Sequence, residues 1–195
     1  ASVKVKLGSP EGIRADQAMF SALLSCVPTG AKISIDANGG WTIEDALVMA
    51  QWLAERGVMY LEQPLSDSED HLLPQLYAQS PLPIFIDESC IDGKDIPRLA
   101  HCIHGINIKL MKCGGLAEAR RMIHTAKACG LQVMFGCYSD SAIANTALAH
   151  LSPLADHLDL DSHFNLKDDP FKGAQLTHGA LVPNHLPGLG LSHHA

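Results

Sequence analysis

Residues 33–62 read ISIDANGGWTIEDALVMAQWLAERGVMYLE, and this stretch decides the fold. It opens on Ile33 and Ile35, β-branched residues alternating into Asp36, and it closes on a second apolar run, 59–62, that ends on Glu62. Between them Ala46, Leu47, Ala50 and Leu53 recur at the spacing of one helix face. Thr42, followed by Glu44 and Asp45, has the chemistry of a helix start: a hydroxyl to accept from exposed N–H groups, and carboxylates for the positive end of the helix dipole. Strand, helix, strand over about 30 residues is the repeating unit of a parallel sheet.

Outward from this stretch the same beat continues. Short apolar runs stand at 3–7, 84–87, 106–110, 132–135 and 157–160, making seven expected strands with the two above. Helical periodicity fills 14–24 and 116–128, and Gly130 after Cys129 reads as a helix stop. Seven strands in this rhythm suit a barrel better than a doubly wound sheet. No G-x-G-x-x-G follows the first strand, and neither Gly39-Gly40 nor Gly114-Gly115 runs into the Gly-Lys-Ser/Thr of a phosphate loop. The expected fold is therefore α/β: a TIM-like barrel over residues 1–178 with its eighth strand missing from the N-terminal side, and a segment at 179–195 rich in Gly and Pro.

Bulk properties narrow the function. A chain of 195 residues, 47% hydrophobic and 18% charged, builds one sizeable core. A net charge of −7 leaves no basic stripe for nucleic acid. No apolar run approaches the ~20 residues that cross a bilayer, and no secretory signal pattern opens the chain. Cys26, Cys90, Cys102, Cys113, Cys129 and Cys137 form no C-x-x-C pair and read as reduced, mostly buried thiols of a cytoplasmic protein. His193 and His194 read as exposed residues of a terminal tail.

In parallel barrels the chemistry gathers at the C-terminal strand ends. Here those ends carry Lys4 and Lys6, Asp36 and Asn38, Glu62, Asp87 and Glu88, Lys109, Cys137 and Ser139, and Asp159 and Asp161. A single charged residue leaving a strand is usually solvated; seven ends in succession predict one shared site. Asp36, Glu62 and Asp87 end three successive strands, which lie about 4.8 Å apart. Three carboxylates so close repel one another unless a cation joins them, and all-oxygen ligation suits Mg²⁺. Lys4 and Lys6, two apart on a strand, share a face. A neighbouring ammonium and a nearby dication both disfavour protonation, which moves Lys6 from its ordinary ~10.4 toward useful basicity. With Lys109 ending a strand nearly opposite, the set predicts two bases either side of one metal-held carboxylate substrate. One removes an α-proton and the other returns it, through an enediolate that the metal stabilises.

These residues fall in the segments Lys4-Val-Lys6, Asp36-Ala-Asn38, Leu61-Glu62-Gln63-Pro64, Ile86-Asp87-Glu88-Ser89 and Asn107-Ile108-Lys109-Leu110. In them the chain resembles the barrel domain of the enolase superfamily, muconate-lactonizing-enzyme subgroup, a superfamily that uses Lys or His bases with Mg²⁺. The resemblance implies a (β/α)7β barrel, with Asp36, Glu62 and Asp87 as metal ligands and Lys6 and Lys109 as the acid/base pair. Lys4 is implied to support Lys6 and contact the substrate carboxylate. Within the subgroup the chain is most similar to dipeptide epimerases of the L-Ala-D/L-Glu type. There a D-x-D like Asp159-Leu160-Asp161 holds the α-ammonium of the dipeptide, as two carboxylates in a partly dry pocket select a cation. The loop 136–141, with Cys137 and Ser139, resembles the one that shapes the same pocket. Members of the family also carry an N-terminal capping domain and a first barrel strand, so the expectation is that this sequence is a piece of a longer protein. Cycloisomerisation, o-succinylbenzoate synthesis and a non-catalytic truncated barrel stay open beside epimerisation. The expected partner is a small dipeptide, with self-association undecided.

Overall fold

The computed structural model describes residues 2–193. The chain consists of two compact units, one formed by residues to Cys90 together with Pro97–Ile106, the other by Ile91–Ile96 and the chain from Asn107 on. Strands β1 (Ser2–Lys6), β2 (Lys32–Asp36), β3 (Leu61–Glu62), β4 (Ile84–Ile86), β5 (Gly105–Ile108), β6 (Gln132–Phe135) and β7 (His157–Leu158) follow chain order in one sheet. All seven expected strands are present. Helices α1 (Ile13–Leu24), α2 (Ile43–Ala54), α3 (Leu73–Gln79), α4 (Asp95–Leu99), α5 (Leu110–Cys113), α6 (Leu116–Ala128) and α7 (Ala142–Leu151) lie between successive strands, with both α5 and α6 between β5 and β6. Among the described residues no helix is long and apolar enough to cross a membrane.

In the first unit the parallel register sets Lys6 beside Asp36 and Asp36 beside Glu62, so neighbouring strands deliver their charged ends to one level. Thr42 caps α2 by accepting from the Asp45 N–H at 3.2 Å. The buried face of α2 is Ile43, Ala46, Met49, Ala50 and Leu53; Leu47, expected inside, is half-buried, because Met49 fills the core instead. Phe85 packs against Tyr60 with ring centroids 4.6 Å apart, and a Cβ on Gly105 would collide with the Phe85 ring. That glycine is what lets a phenylalanine lie flat inside this layer.

In the second unit α6 buries Ala119, Met122, Ile123 and Ala126, the i, i+3, i+4, i+7 set of one face. Val133, Met134 and Phe135 of β6 are wholly buried, as expected of a parallel strand covered on both sides. The C-terminal stretch is more ordered than a tail. Strands β8 (Phe171–Lys172), β9 (Gln175–Thr177), β10 (Ala180–Val182) and β11 (Ser192–His193) form two antiparallel pairs, β9 with β10 and β8 with β11. His178 and Gly179, both at positive φ, make the two-residue turn between β9 and β10. The expected boundary at 178–179 falls inside this hairpin. His193 is exposed as expected but paired in β11, whereas His194 lies outside the described residues. All six cysteines are free, yet only Cys90, Cys102 and Cys113 are buried, so "mostly buried" is corrected to half; Cys26 and Cys129 sit at exposed helix ends.

Candidate active site

The first unit supplies a lysine–carboxylate cluster. Asp36, Glu62 and Asp87 are each 0% exposed. Lys4 Nζ lies 2.8 Å from Glu62 Oε2 and 3.2 Å from Asp36 Oδ2, and Lys6 Nζ donates to the same Asp36 oxygen at 2.5 Å. Lys4 is nearly enclosed, while the Lys6 side chain is 60% exposed. Burial pushes the Glu62 carboxyl up to about 7; Lys4 pulls it down, and the neighbouring Asp36 and Asp87 push it up again. Glu62 therefore feels both neighbouring carboxylates. Among the described residues no three Asp, Glu, His or Cys side chains stand ready-made to hold an ion, and the two lysines lie on oxygens of Asp36 and Glu62. The donor set still fits a hard dication: buried, all oxygen, and mutually repulsive at Glu62.

The backbone around this cluster is tightly specified. Asp36 Oδ1 accepts from the Asn38 N–H at 3.0 Å, and Asn38 itself sits at φ 46°. Gly8, at φ 84°, lies so close to the turn after β2 that a Cβ would meet the Ala37 carbonyl. Two buried polar residues escaped the sequence reading. Asp16 in α1, 2% exposed, accepts from Gly8 N–H at 3.1 Å, Ser9 N–H at 3.0 Å and Trp41 Nε1–H at 2.8 Å, tying the turn after Lys6 to the turn after Asp36. Gln63, 1% exposed, spans from β3 to the loop after β4. The available signal was an acidic residue on a helix and an amide directly beside a proposed ligand; neither pattern is specific without the fold.

The second unit carries the remaining expected residues. β5 ends at Ile108, and Lys109, still extended, is the cap residue of α5. Lys109 is 4% exposed, with its Nζ 4.2 Å from the centroid of the Tyr138 ring. Cys137 donates its thiol to the Asp159 carbonyl at 3.1 Å, and burial pushes that thiol up, keeping it in the donating form. This bond and the Asp159 N–H to Phe135 carbonyl bond at 2.8 Å fix Asp159 at the end of β7. Ser139 is exposed on the same loop. The picture of Asp159 and Asp161 as same-face residues of one strand is corrected. β7 stops at Leu158, and Asp161 turns to φ −108°, ψ −4° as the cap of a short 3-10 turn. Asp161 is exposed there, lining a cavity of about 360 Å³ with Leu158, Leu160 and Phe164. The reason lies beneath it: Ser162 Oγ accepts from Asp140 N–H at 3.3 Å and from Asn145 Nδ2 at 3.0 Å, pulling the chain out of the extended form.

Comparison with known proteins places this geometry. The model of the enolase C-terminal domain-like family matches residues 1–194, and the chain belongs to that family. Its fold is that family's TIM-like α/β barrel domain. A hydrophobic dipeptide epimerase of Flavobacteria bacterium (strain MS024-2A) is 49% identical over 190 residues, which are 97% of this chain and 54% of that protein. One from Roseobacter litoralis is 48% identical, over 98% of this chain and 57% of the relative. The crystal structure of the Enterococcus faecalis V583 dipeptide epimerase, complexed with Mg and the dipeptide L-Leu-L-Tyr, superposes with a TM-score of 0.90 at 35% identity. It is matched over 98% of this chain and 56% of its own. The chain thus spans about half the length of the curated relatives it matches.

Proposed function

We propose that this chain carries the catalytic barrel of a Mg²⁺-dependent dipeptide epimerase, which inverts the α-carbon of the dipeptide's C-terminal residue by 1,1-proton transfer. The observation that carries it is the cluster of Lys4 and Lys6 on wholly buried Asp36 and Glu62, with Asp87 close enough to raise the proton affinity of Glu62. Asp36, Glu62 and Asp87 would hold the cation. When bound, Mg²⁺ supplies Lewis acidity that stabilises the enediolate charge on the substrate carboxylate. Lys6 and Lys109 exchange the proton, one removing it from the α-carbon and the other returning it from the opposite face. Lys4, held between two carboxylates, supports Lys6 and contacts the substrate carboxylate. Asp159 binds the α-ammonium, positioned by Cys137, and Asp161 adds a second, more solvated carboxylate.

The names of the relatives, with the Mg and dipeptide present in the E. faecalis complex, support this reading over other reactions of the family. Cycloisomerase and o-succinylbenzoate substrates present no ammonium to Asp159. The test is turnover of a panel of dipeptides by the full-length protein, hydrophobic ones and L-Ala-L-Glu included, with Mg²⁺ and with a chelator. Mg²⁺-dependent inversion at the C-terminal residue is expected. Turnover of muconate or of an o-succinylbenzoate precursor with none of any dipeptide would contradict it.

A further inference from the structure

We propose that Gln63 is a positioning residue for the cation site: its side-chain amide, buried beside Glu62, holds the Asp87 segment in place after strand β4 has ended. The proposal rests on the reading above that Asp36, Glu62 and Asp87 hold Mg²⁺.

The ladder of β3 with β4 gives out just where the two carboxylates must be presented. β3 ends at Glu62 and β4 at Ile86. One residue further, the Gln63 backbone still binds on both sides, its N–H donating to the Phe85 carbonyl at 2.8 Å and its carbonyl accepting from Gly39 N–H at 2.7 Å. Beyond that point the side chain takes over the ladder's work. Gln63 Oε1 accepts from Asp87 N–H at 2.8 Å and from Ser89 N–H at 3.3 Å. Its Nε2 donates to the Leu65 carbonyl and to Ser89 Oγ, both at 2.8 Å. One amide thus joins the turn after Glu62 to the turn carrying Asp87, with both donors and the acceptor satisfied. Its φ of 37° is a left-handed conformation that a non-glycine residue adopts at a cost. A glycine would bear no such cost at that backbone position.

A purely structural amide would raise stability without touching cation affinity, and the two roles separate experimentally. The measurement is the Mg²⁺ dissociation constant by titration calorimetry, taken well below each variant's melting temperature, on the full-length protein. Wild type, Gln63→Met and Gln63→Gly are compared. Leu76→Ala serves as the control, a wholly buried residue of α3 whose loss lowers stability without altering any hydrogen bond described here. Residues that orient metal ligands typically change affinity 10–100-fold when removed. Gln63→Met and Gln63→Gly should therefore weaken Mg²⁺ binding about tenfold or more. Leu76→Ala should match wild type. The glycine variant relieves the φ strain, so it keeps the test decisive should the methionine variant fail to fold. Unchanged Mg²⁺ affinity in Gln63→Gly overturns the positioning role and leaves the cation site standing. No Mg²⁺ binding by wild type overturns the cation site, and the positioning role with it.

Discussion

Lys6 and Lys109, the two lysines that carry the proposed proton transfer, sit in unlike surroundings. Lys6 is exposed and ion-paired to Asp36, whereas Lys109 is buried beneath the Tyr138 ring. A positioned acid or base is worth roughly 10²–10⁴-fold. Lys109→Ala should therefore lower the epimerisation kcat by at least about 10²-fold while Lys6 still exchanges the proton it faces; a variant with wild-type inversion would remove the two-base mechanism. Asp159 and Asp161 were legible as a pair, but not as unequal partners. Asp159 is half-buried and held by the Cys137 thiol, while Asp161 is exposed. A hydrogen bond to a charged group contributes about 1.5–3 kcal/mol. Asp159→Ala should accordingly raise the KM for dipeptides about tenfold or more, and Asp161→Ala should raise it less; the reverse order in steady-state kinetics would contradict this assignment. The functions of Gln63 and Asp16 could not be read from their neighbours in sequence. Their partners come from strands and turns that are adjacent only after folding.

At the scale of elements, hydrophobic period located the seven strands of the main sheet and the three helices it was used to assign. It set their ends less well, because a strand's last residue is decided by which N–H still finds a ladder partner. Asp87 and Lys109 were expected inside strands, and each lies one residue beyond. The entry to β4 and β5 shows a second device invisible to periodicity. His104 N–H donates to the Ile84 carbonyl at 2.8 Å, while its Nδ1 accepts from the Ile84 N–H at 3.0 Å, and the ring stacks on Tyr77. Only a neutral ring can accept in this way, and burial holds the His104 pKa below its ordinary value. The unfolded chain therefore takes up the proton first as pH falls. The stabilisation is complete above the ordinary histidine value near 6.5 and is lost as pH drops through the lowered folded-state value. Urea midpoints measured from pH 8 to pH 5 should fall more steeply for wild type than for His104→Gln, whose amide oxygen accepts without titrating. Parallel curves would rule out this contribution.

For the whole molecule, the order of strands and the level of their charged ends follow from one repeated rule: apolar run, charged end, amphipathic helix. That is why so much of the fold, and the meeting of Lys6, Asp36 and Glu62 at one level, could be read directly. The C-terminal hairpin and the paired strands β8 and β11 could not, because runs of two or three half-exposed residues have no period to detect. The lysines resting on the carboxylates were likewise unforeseen; spacing predicts which charges meet, not which of them close the gap. If those carboxylates hold Mg²⁺, the cation binds the folded state alone, and at a hundred times its dissociation constant it adds about 2.7 kcal/mol. For a protein of this size that raises the melting temperature by about 5 °C or more. The rise should disappear with chelator and in the Asp36→Asn/Glu62→Gln/Asp87→Asn protein; a melting curve indifferent to Mg²⁺ would contradict the ligand assignment. The central claim is the proton transfer itself, and deuterium uptake from D₂O tests it most directly. With Mg²⁺ and a hydrophobic dipeptide, the full-length protein should place one deuteron on the α-carbon of the C-terminal residue, with inversion, as resolved by NMR and mass spectrometry. Turnover that leaves that carbon in protium, or no exchange into any dipeptide tested, would contradict the account.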